Sequence, residues 1–396
     1  MAYGAGRGVR MTAVQLLKGR EIVIGVTGSI AAVEVVKLIH ALQRRGAAVH
    51  AVMSRAATEI IHPDALTYAT GKPTITRLSG MVEHVISCGD GGTADLLLIA
   101  PCTANTIGKI AAGIDDTPVT TFATTALGSG IPIIIVPAMH QSMYRHPGVM
   151  ENLEQLKRWG IIVVGPRIEE GKAKIAESGE ILLWCERAVL GQPLKGKKVL
   201  ITSGPCREPV DDIRVLTTRS SGLMGRELAL QAFRLGADVT VVHRDTFPCV
   251  VNVHAETAQE MHDGVLRCCS EDGADIYISA SAISDFAPVR VQGKIPSGKA
   301  RSLDLTPLPK LLDEVMVQYR PLTVAFNLGR DTGSKVQELL TRGAFMVVTN
   351  TAEAMGNDRG EFVLQTKDGT MTVNAIKEEA AVAIWNTLLA GQQEKF

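Results

Sequence analysis

Two stretches of this chain open in the same way, and that repetition restricts the fold more than any other feature. Residues 22–28, IVIGVTG, form an apolar, β-rich run ending in glycine, and residues 199–204, VLITSG, repeat it. After the first run, Val35, Leu38, Ile39 and Leu42 fall at i, i+3, i+4 and i+7, the stripe of an amphipathic helix. Gly46 ends that helix and AVHAVMS (48–54) reads as the next strand. After the second run, Met224, Leu228, Ala232 and Leu235 mark a helix face, Gly236 stops it, and DVTVVHR (238–244) follows. Near-continuous apolar strands alternating with helices predict mostly parallel sheets covered on both faces, hence an α/β chain of two doubly wound, Rossmann-like domains. DLLLIAP (95–101) and IPIIIVPAM (131–139) extend the first sheet; ADIYISASA (274–282), LTVAFNL (322–328) and FMVVTN (345–350) extend the second. EFVLQT and TMTVN around Asp368-Gly369 read as a hairpin, because Asp-Gly suits a type I′ turn.

At 396 residues the chain is too long for one ordinary domain. GQPLKGKK (191–198) is the natural linker, giving domains over 20–190 and 199–396. Residues 1–19 read as a disordered leader and not a signal peptide, because a charged KGRE follows the short apolar patch Met11–Leu17 at once; Met11 is a candidate start. Hydrophobic residues are 46%, enough for two cores. Lys plus Arg equals Asp plus Glu, 41 each, so the total charge offers nucleic acid no footprint, and 4% aromatics leaves little to stack bases on. No apolar run approaches the roughly 18 residues of a membrane helix. The seven cysteines, Cys88, Cys102, Cys185, Cys206, Cys249, Cys268 and Cys269, form no CxxC pair and are odd in number. That argues against a disulfide framework and for a reducing, cytoplasmic setting.

Open α/β sheets bind ligands beyond the carboxyl ends of their strands. In the first half, Gly28-Ser29-Ile30 lies between a strand and a helix, where free N–H groups and the helix dipole suit a phosphate. Alone it reads equally well as a plain tight turn, having neither a GxGxxG fingerprint nor a P-loop lysine. VTGSIAA (26–32), Glu83-His84 in MVEHVIS, APCTANTIGKIAAGIDD (100–116) and PAMHQSMY (137–144) follow in order, and together they resemble the homo-oligomeric flavin-containing cysteine decarboxylases over residues 20–185. The resemblance implies a flavodoxin-like first domain, trimers, and FMN held by Gly28, Ser29, Ile30, Ser54, Thr58, Thr103 and Asn105. Thr58 and Asn105 could instead satisfy helix starts. It further implies substrate contacts from Met139, His140 and Met143, and His84 orienting or deprotonating the substrate. The chemistry needs such a cofactor: loss of CO₂ from a cysteinyl carboxylate leaves an unstabilised carbanion unless the thiol is first oxidised to a thioaldehyde. Two departures stand out. His140 occupies a family asparagine position, and EGKAKIAESGEI (170–181) lacks the cysteine of the family's flap. Lys174 becomes the candidate to donate a proton there or to hold an anionic group, beside Lys172, Glu177 and His140.

In the second half, VLITSGPCREPVDDIRVLTTRSSGLMG (199–225), SAISDFAP (281–288), KIPSGKARSLDLTPLPKLL (294–312), VAFNLG (324–329) and MGNDRGEF (355–362) resemble phosphopantothenate–cysteine ligases over about residues 195–390. The resemblance implies a dimeric, CTP-dependent ligase with Mg²⁺ (or Mn²⁺). Ser220, Ser221 and Gly222 would receive phosphate at a helix start, with Ser281 and Ala282 as further nucleotide contacts. Lys294 would neutralise charge on the triphosphate or acyl phosphate, Asp285 would bind the sugar or base side, and Phe326 would flank the base. Arg342 sits at a basic nucleotide-contact position, although a solvated surface charge explains it equally well. Thr218 replaces an asparagine that helps orient the acyl-nucleotide, and LPK replaces NPD.

Together the two resemblances imply a fused pair of coenzyme A biosynthetic activities acting on 4′-phosphopantothenate, L-cysteine and CTP, with ATP as the open alternative to CTP. A chain with only the ligase active, its flavin half a scaffold or regulatory module, is a second reading. A dinucleotide oxidoreductase is a third, but neither half has the required glycine fingerprint.

Overall fold

A computed structural model describes residues 14–169, 172–298, 300, 302–329, 333–351 and 356–393. The chain divides into two compact units at Gly191/Gln192, inside the sequence-predicted linker.

The first unit carries strands β1 (Glu21–Val26), β2 (Ala48–Met53), β3 (Leu96–Cys102), β4 (Ile133–Pro137), β5 (Met139–His140), β6 (Ile162–Val163), β7 (Arg167–Glu169) and β8 (Lys172–Lys174). Its helices are α1 (Val35–Arg44), α2 (Arg55–Thr58), α3 (Pro63–Thr70), α4 (Glu83–Cys88), α5 (Ala104–Ala111), α6 (Pro118–Gly128), α7 (Gln141–Tyr144), α8 (Pro147–Arg158) and α9 (Ser178–Val189). The main sheet runs β2-β1-β3-β4-β6, all parallel. This is the flavodoxin-type order, whose direction reverses between β1 and β3. Alternation along the strands explains the layering. Ile22, Ile24, Leu96, Leu98, Ile134 and Val136 pack on one face, and Val23, Leu97, Ile99, Ile133 and Ile135 on the other. All four stripe residues of α1 are buried. The short strands β5, β8 and β7 form an antiparallel flap beside the sheet.

The second unit carries β9 (Lys198–Thr202), β10 (Arg207–Pro209), β11 (Val215–Thr217), β12 (Asp238–His243), β13 (Val251–His254), β14 (Ile276–Ser279), β15 (Phe286–Pro288), β16 (Leu305–Pro307), β17 (Leu322–Leu328), β18 (Met346–Asn350), β19 (Arg359–Thr366) and β20 (Thr370–Ile376). Helices are α10 (Leu223–Arg234), α11 (Ala258–Glu271), α12 (Leu311–Gln318), α13 (Gly333–Thr341) and α14 (Lys377–Gln393). The sheet order is β13-β12-β9-β14-β17-β18-β19-β20, parallel as far as β18 and antiparallel beyond. Its parallel part is the dinucleotide-fold order, reversing between β9 and β14. Two small ribbons, β10–β11 and β15–β16, stand apart from the main sheet.

Two sequence expectations need correction. Of the predicted leader, residues 1–13 lie outside the described part, but residues 14–19 belong to the fold: Leu17 is fully buried and its N–H donates to the Arg45 carbonyl at 2.8 Å. The hairpin exists, but its tip is Lys367-Asp368. Gln365 pairs with Thr370, the Thr366 N–H donates to the Gly369 carbonyl at 2.9 Å, and Gly369 lacks the positive φ that a type I′ turn requires at its central positions.

Candidate active sites

In the first unit the residues following β1, β2, β3 and β4 converge. Thr27 Oγ1 donates to the Pro101 carbonyl at 2.7 Å and accepts from the Thr103 N–H at 3.0 Å, which ties the loop after β1 to the loop after β3. Ser54 caps α2, its Oγ accepting from the Ala57 N–H, and Thr103 caps α5 from the Thr106 N–H, each at 3.3 Å. Around them lies a cavity of about 430 Å³ lined by Gly28, Ser29, Ser54, Thr103, Asn105 and, on the side of β5 and α7, Met139 and Met143. Gly28 is required by packing, because a Cβ there would lie 2.5 Å from the Ala56 Cβ. A second cavity of about 620 Å³ shares Ser29, Ala138 and Met139 with the first. Its walls include Ile30, His140, Arg167, Lys174, Glu177 and Ile181.

The flap side of the second cavity is a charge cluster. Lys174 Nζ lies 3.2 Å from Glu169 Oε2, Arg167 Nε lies 2.7 Å from Glu169 Oε1, and Arg167 also pairs with Glu177. The Lys172 side chain lies outside the described part. His140 caps α7: its Nδ1 accepts from the Ser142 N–H at 3.3 Å and contacts Ser142 Oγ at 2.8 Å, leaving Nε2 as the ring's other polar atom. Cys102, at the end of β3, is fully buried and desolvation pushes its thiol well above the ordinary range, so it stays protonated.

Two sequence candidates are placed elsewhere. Thr58 lines neither cavity; its Oγ1 donates to the Arg55 carbonyl at 2.7 Å, one turn back on α2. His84 also lines neither. It sits edge-on to Phe122 at 6.4 Å, and its Nδ1 is buried with no hydrogen-bond partner among the described residues. The helix caps fall to Ser54 and Thr103, where the sequence alternative offered Thr58 and Asn105. Arg55, which the sequence reading did not single out, lines the smaller cavity beside Gly28.

In the second unit the reversal between β9 and β14 again carries the cavity. It is narrow, about 120 Å³, and lined by Ser220, Ser221 and Gly222, by Ser281 and Ala282, by Phe326 and Asn327, and by Asn350, Gly356 and Lys377. Gly222 takes a left-handed φ of +71° as it enters α10, and its carbonyl accepts from Ser203 Oγ at 3.1 Å. A Cβ on Gly225 would fall 2.3 Å from that Ser203 Oγ, so glycine is what lets α10 press against the end of β9. The Ser281 hydroxyl donates to the Gly204 carbonyl at 2.6 Å and the Ala282 N–H donates to the same oxygen at 3.0 Å, fixing the opposite wall.

Four sequence candidates do not line this cavity. Thr218 accepts from the Ser220 N–H at 3.4 Å, just before the phosphate-type turn. Asp285 is exposed and paired with Lys310. Arg342 is held outside by Asp313 at 2.9 Å and Glu338 at 3.3 Å, an ion-pair cluster between α12 and α13 that keeps its pKa raised. Lys294 is exposed on the segment between β15 and β16. That segment is anchored, since the Ile295 N–H donates to Asp211 Oδ2 at 3.0 Å and the Gly293 N–H to Asp212 Oδ2 at 3.0 Å. The Asp211 carboxylate also accepts from the Ile213 and Arg214 N–H groups at 2.8 and 2.6 Å, and these bonds, the one from Ile295 foremost, hold its pKa far below the usual range. Lys377, Asn327 and Asn350 line this cavity and were not singled out by the sequence. A lysine opening the run KEEAA reads as a solvated charge, and only the fold buries it.

Two doubly wound units, each with a cavity at the switch in its strand order, define a two-domain α/β protein of the class that binds its ligands at those switches. Comparison with known proteins gives the family. Residues 11–189 match the family model described as Flavoprotein, and residues 194–391 match the one described as DNA/pantothenate metabolism flavoprotein C-terminal domain. The coenzyme A biosynthesis bifunctional protein CoaBC of Thermococcus kodakarensis is 42% identical over 386 residues, covering 94% of this chain and 95% of that protein. The Methanocaldococcus jannaschii protein of the same name is 32% identical over 391 residues, 94% of each. Among solved structures, the C-terminal domain of a CoaBC protein aligns with 51% of this chain and 99% of its own, at 26% identity and a TM-score of 0.41. An FMN-dependent cysteine decarboxylase aligns with 43% of this chain and 98% of its own, at 28% identity and a TM-score of 0.39. The chain belongs to the family of coenzyme A biosynthesis bifunctional proteins, and it is a bifunctional enzyme with a flavoprotein decarboxylase half and a ligase half.

Proposed function

We propose that the ligase half joins 4′-phosphopantothenate to L-cysteine with CTP, and that the flavin half decarboxylates the product to 4′-phosphopantetheine with FMN. In the ligation, a carboxylate oxygen of 4′-phosphopantothenate attacks the α-phosphorus of CTP and pyrophosphate leaves. The cysteine amine then attacks the acyl carbon, losing a proton, and CMP leaves. The observation that carries this reading is the cavity at each switch point, one at the start of α10 and one around Gly28, each with hydroxyl and backbone donors in its wall. The α10 N-terminus would receive phosphate and Phe326 would flank the base. Mg²⁺ (or Mn²⁺) would arrive with the triphosphate, which suits an ion that keeps several waters; the described residues contain no cluster of three His, Cys, Asp or Glu side chains able to hold a metal.

In the flavin half the smaller cavity fits a mononucleotide phosphate. Gly28 leaves backbone room, Ser54 and Thr103 are held by their caps, and Arg55 adds a positive charge. FMN would supply a reversible hydride acceptor there. The chain's own part is to seat the substrate along Met139 and His140 and to move a proton from the flap. Gly28→Ala is expected to cut bound flavin sharply without unfolding the chain, since crowding Ala56 costs about 1–3 kcal/mol. Absorbance of the purified variant and FMN released on denaturation measure it, and full occupancy would remove Gly28 from the phosphate cradle.

Lys174→Ala is expected to slow decarboxylation. If Lys174 gives the proton to carbon, the variant accumulates the oxidised enethiol; a raised KM with normal product makes Lys174 a binding residue instead. Unchanged kinetics would take it out of the reaction.

We further propose a homo-oligomer, trimeric through the flavin half and dimeric through the ligase half, working in the cytoplasm. Met81, Val82, Val85 and Ile86 are all exposed at and before α4, an apolar strip that suits a subunit contact. The free cysteines suit a reducing compartment, and among the described residues no helix is long and apolar enough to cross a membrane.

A further inference from the structure

We infer that Lys377 is a phosphate contact of the ligase half, a role that rests on the ligase reading above. Lys377 is the first residue of α14, and the residue is 7% exposed yet lines the cavity at the start of α10. Its backbone N–H donates to the Asp358 carbonyl at 2.8 Å, which fixes the stem. The ammonium has no hydrogen bond and no ion pair within 4 Å among the described residues. Asp358 acts on it only at longer range, and loss of water is the larger influence, so its pKa is lowered overall. A buried ammonium without an anion is costly, and a ligand phosphate would remove that cost.

Three further features of the same cavity point to the same chemistry. The cavity lies at the N-terminus of the 12-residue helix α10, whose first N–H groups have no partner within the helix. Gly222 stands there at φ +71°, bringing backbone close to the cavity. Asn327 lines the cavity across from these, and its Nδ2 is buried without a hydrogen-bond partner among the described residues. Donors thus gather from α10, β17 and α14 with no described carboxylate among the lining residues, as a multiply charged oxyanion requires. Two ligands of the proposed reaction carry phosphate, the nucleotide and the phosphorylated acid, and the test separates them.

Lys377→Met keeps the length of the stem and removes the charge. Kd values for CTP and for 4′-phosphopantothenate are measured separately on the full chain and on this variant by calorimetry. The variant is expected to bind one of the two about 10- to 100-fold more weakly and the other unchanged, the usual effect of losing one charge-assisted contact. The ligand affected identifies the phosphate, and Lys377→Arg should recover part of the loss. A folded Lys377→Met that binds both ligands as the unaltered chain does overturns the inference alone. An unaltered chain that binds neither overturns the ligase reading and the inference with it. Should Lys377→Met fail to fold, the unaltered enzyme decides: pyridoxal phosphate followed by borohydride should label Lys377 and one of the two ligands should protect it. Absence of label, or label that neither ligand suppresses, would contradict the assignment.

Discussion

Lys294→Ala is expected to slow ligation by about 10²–10³-fold, the scale of one charge contact made chiefly in the transition state. Decarboxylation of supplied 4′-phosphopantothenoylcysteine should proceed at the unaltered rate, because the two sites belong to separate units. Lys294 is exposed and does not line the cavity at α10, so its contribution requires the segment between β15 and β16 to bring it to the ligand. The structure gives that segment a fixed base. Asp212 holds its backbone at Gly293 and Asp211 at Ile295, and Cys206, just before β10, donates its N–H to the Ala282 carbonyl on the cavity wall. An exposed cation on an anchored loop can add its charge after the nucleotide has bound, without the standing desolvation cost that Lys377 bears. Steady-state rates of both half-activities on the same preparation measure the effect. Equal loss of both would indicate misfolding, and no loss of ligation would leave Lys377 as the lysine to test for charge neutralisation at that site.

Glu186→Ala is expected to destabilise the flavin half by about 3–5 kcal/mol. Glu186 on α9 is fully buried and ion-paired to Arg45, which is itself 6% exposed at the end of α1. Removing the carboxylate takes a buried opposite charge away from a guanidinium that is itself buried and cannot lose its proton. The consequence reaches the site, since Ile181 on the same helix lines the larger cavity. Arg45→Met combined with Glu186→Leu should recover most of the loss, as apolar replacement of a buried pair often does. Hydrogen exchange of α1 and α9 in the full chain, with increasing denaturant, follows the change in the correct unit. A variant within about 1.4 kcal/mol of the parent, a tenfold change in exchange rate, would mean the pair is far better solvated than its burial implies.

The strands were legible because buried parallel strands must be apolar on both faces, as in LLLIAP of β3 and IIIVP of β4. The helix after β1 was legible because its four stripe residues keep the 3.6 period. What failed depends on contacts distant in sequence. Leu17 looks like part of a leader until Arg45, 28 positions on, supplies its carbonyl. Lys377 and Arg55 are ordinary surface charges by sequence, and only the strand order places them at cavities. Arg342 shows the reverse: the motif suggests a nucleotide contact, while Asp313 and Glu338 take up its guanidinium. The cavities fall at strand-end loops because the reversal of strand order is set by the sheet and not by any one residue.

The most direct test supplies the purified full chain with 4′-phosphopantothenate, L-cysteine, Mg²⁺ and either CTP or ATP, and follows the products by mass spectrometry. The account predicts 4′-phosphopantothenoylcysteine as a transient, CMP and pyrophosphate in equal amounts, and 4′-phosphopantetheine with CO₂ at the end. A reaction that stops at 4′-phosphopantothenoylcysteine, with no flavin released from the denatured protein, would contradict it and leave a ligase carrying a silent flavin half.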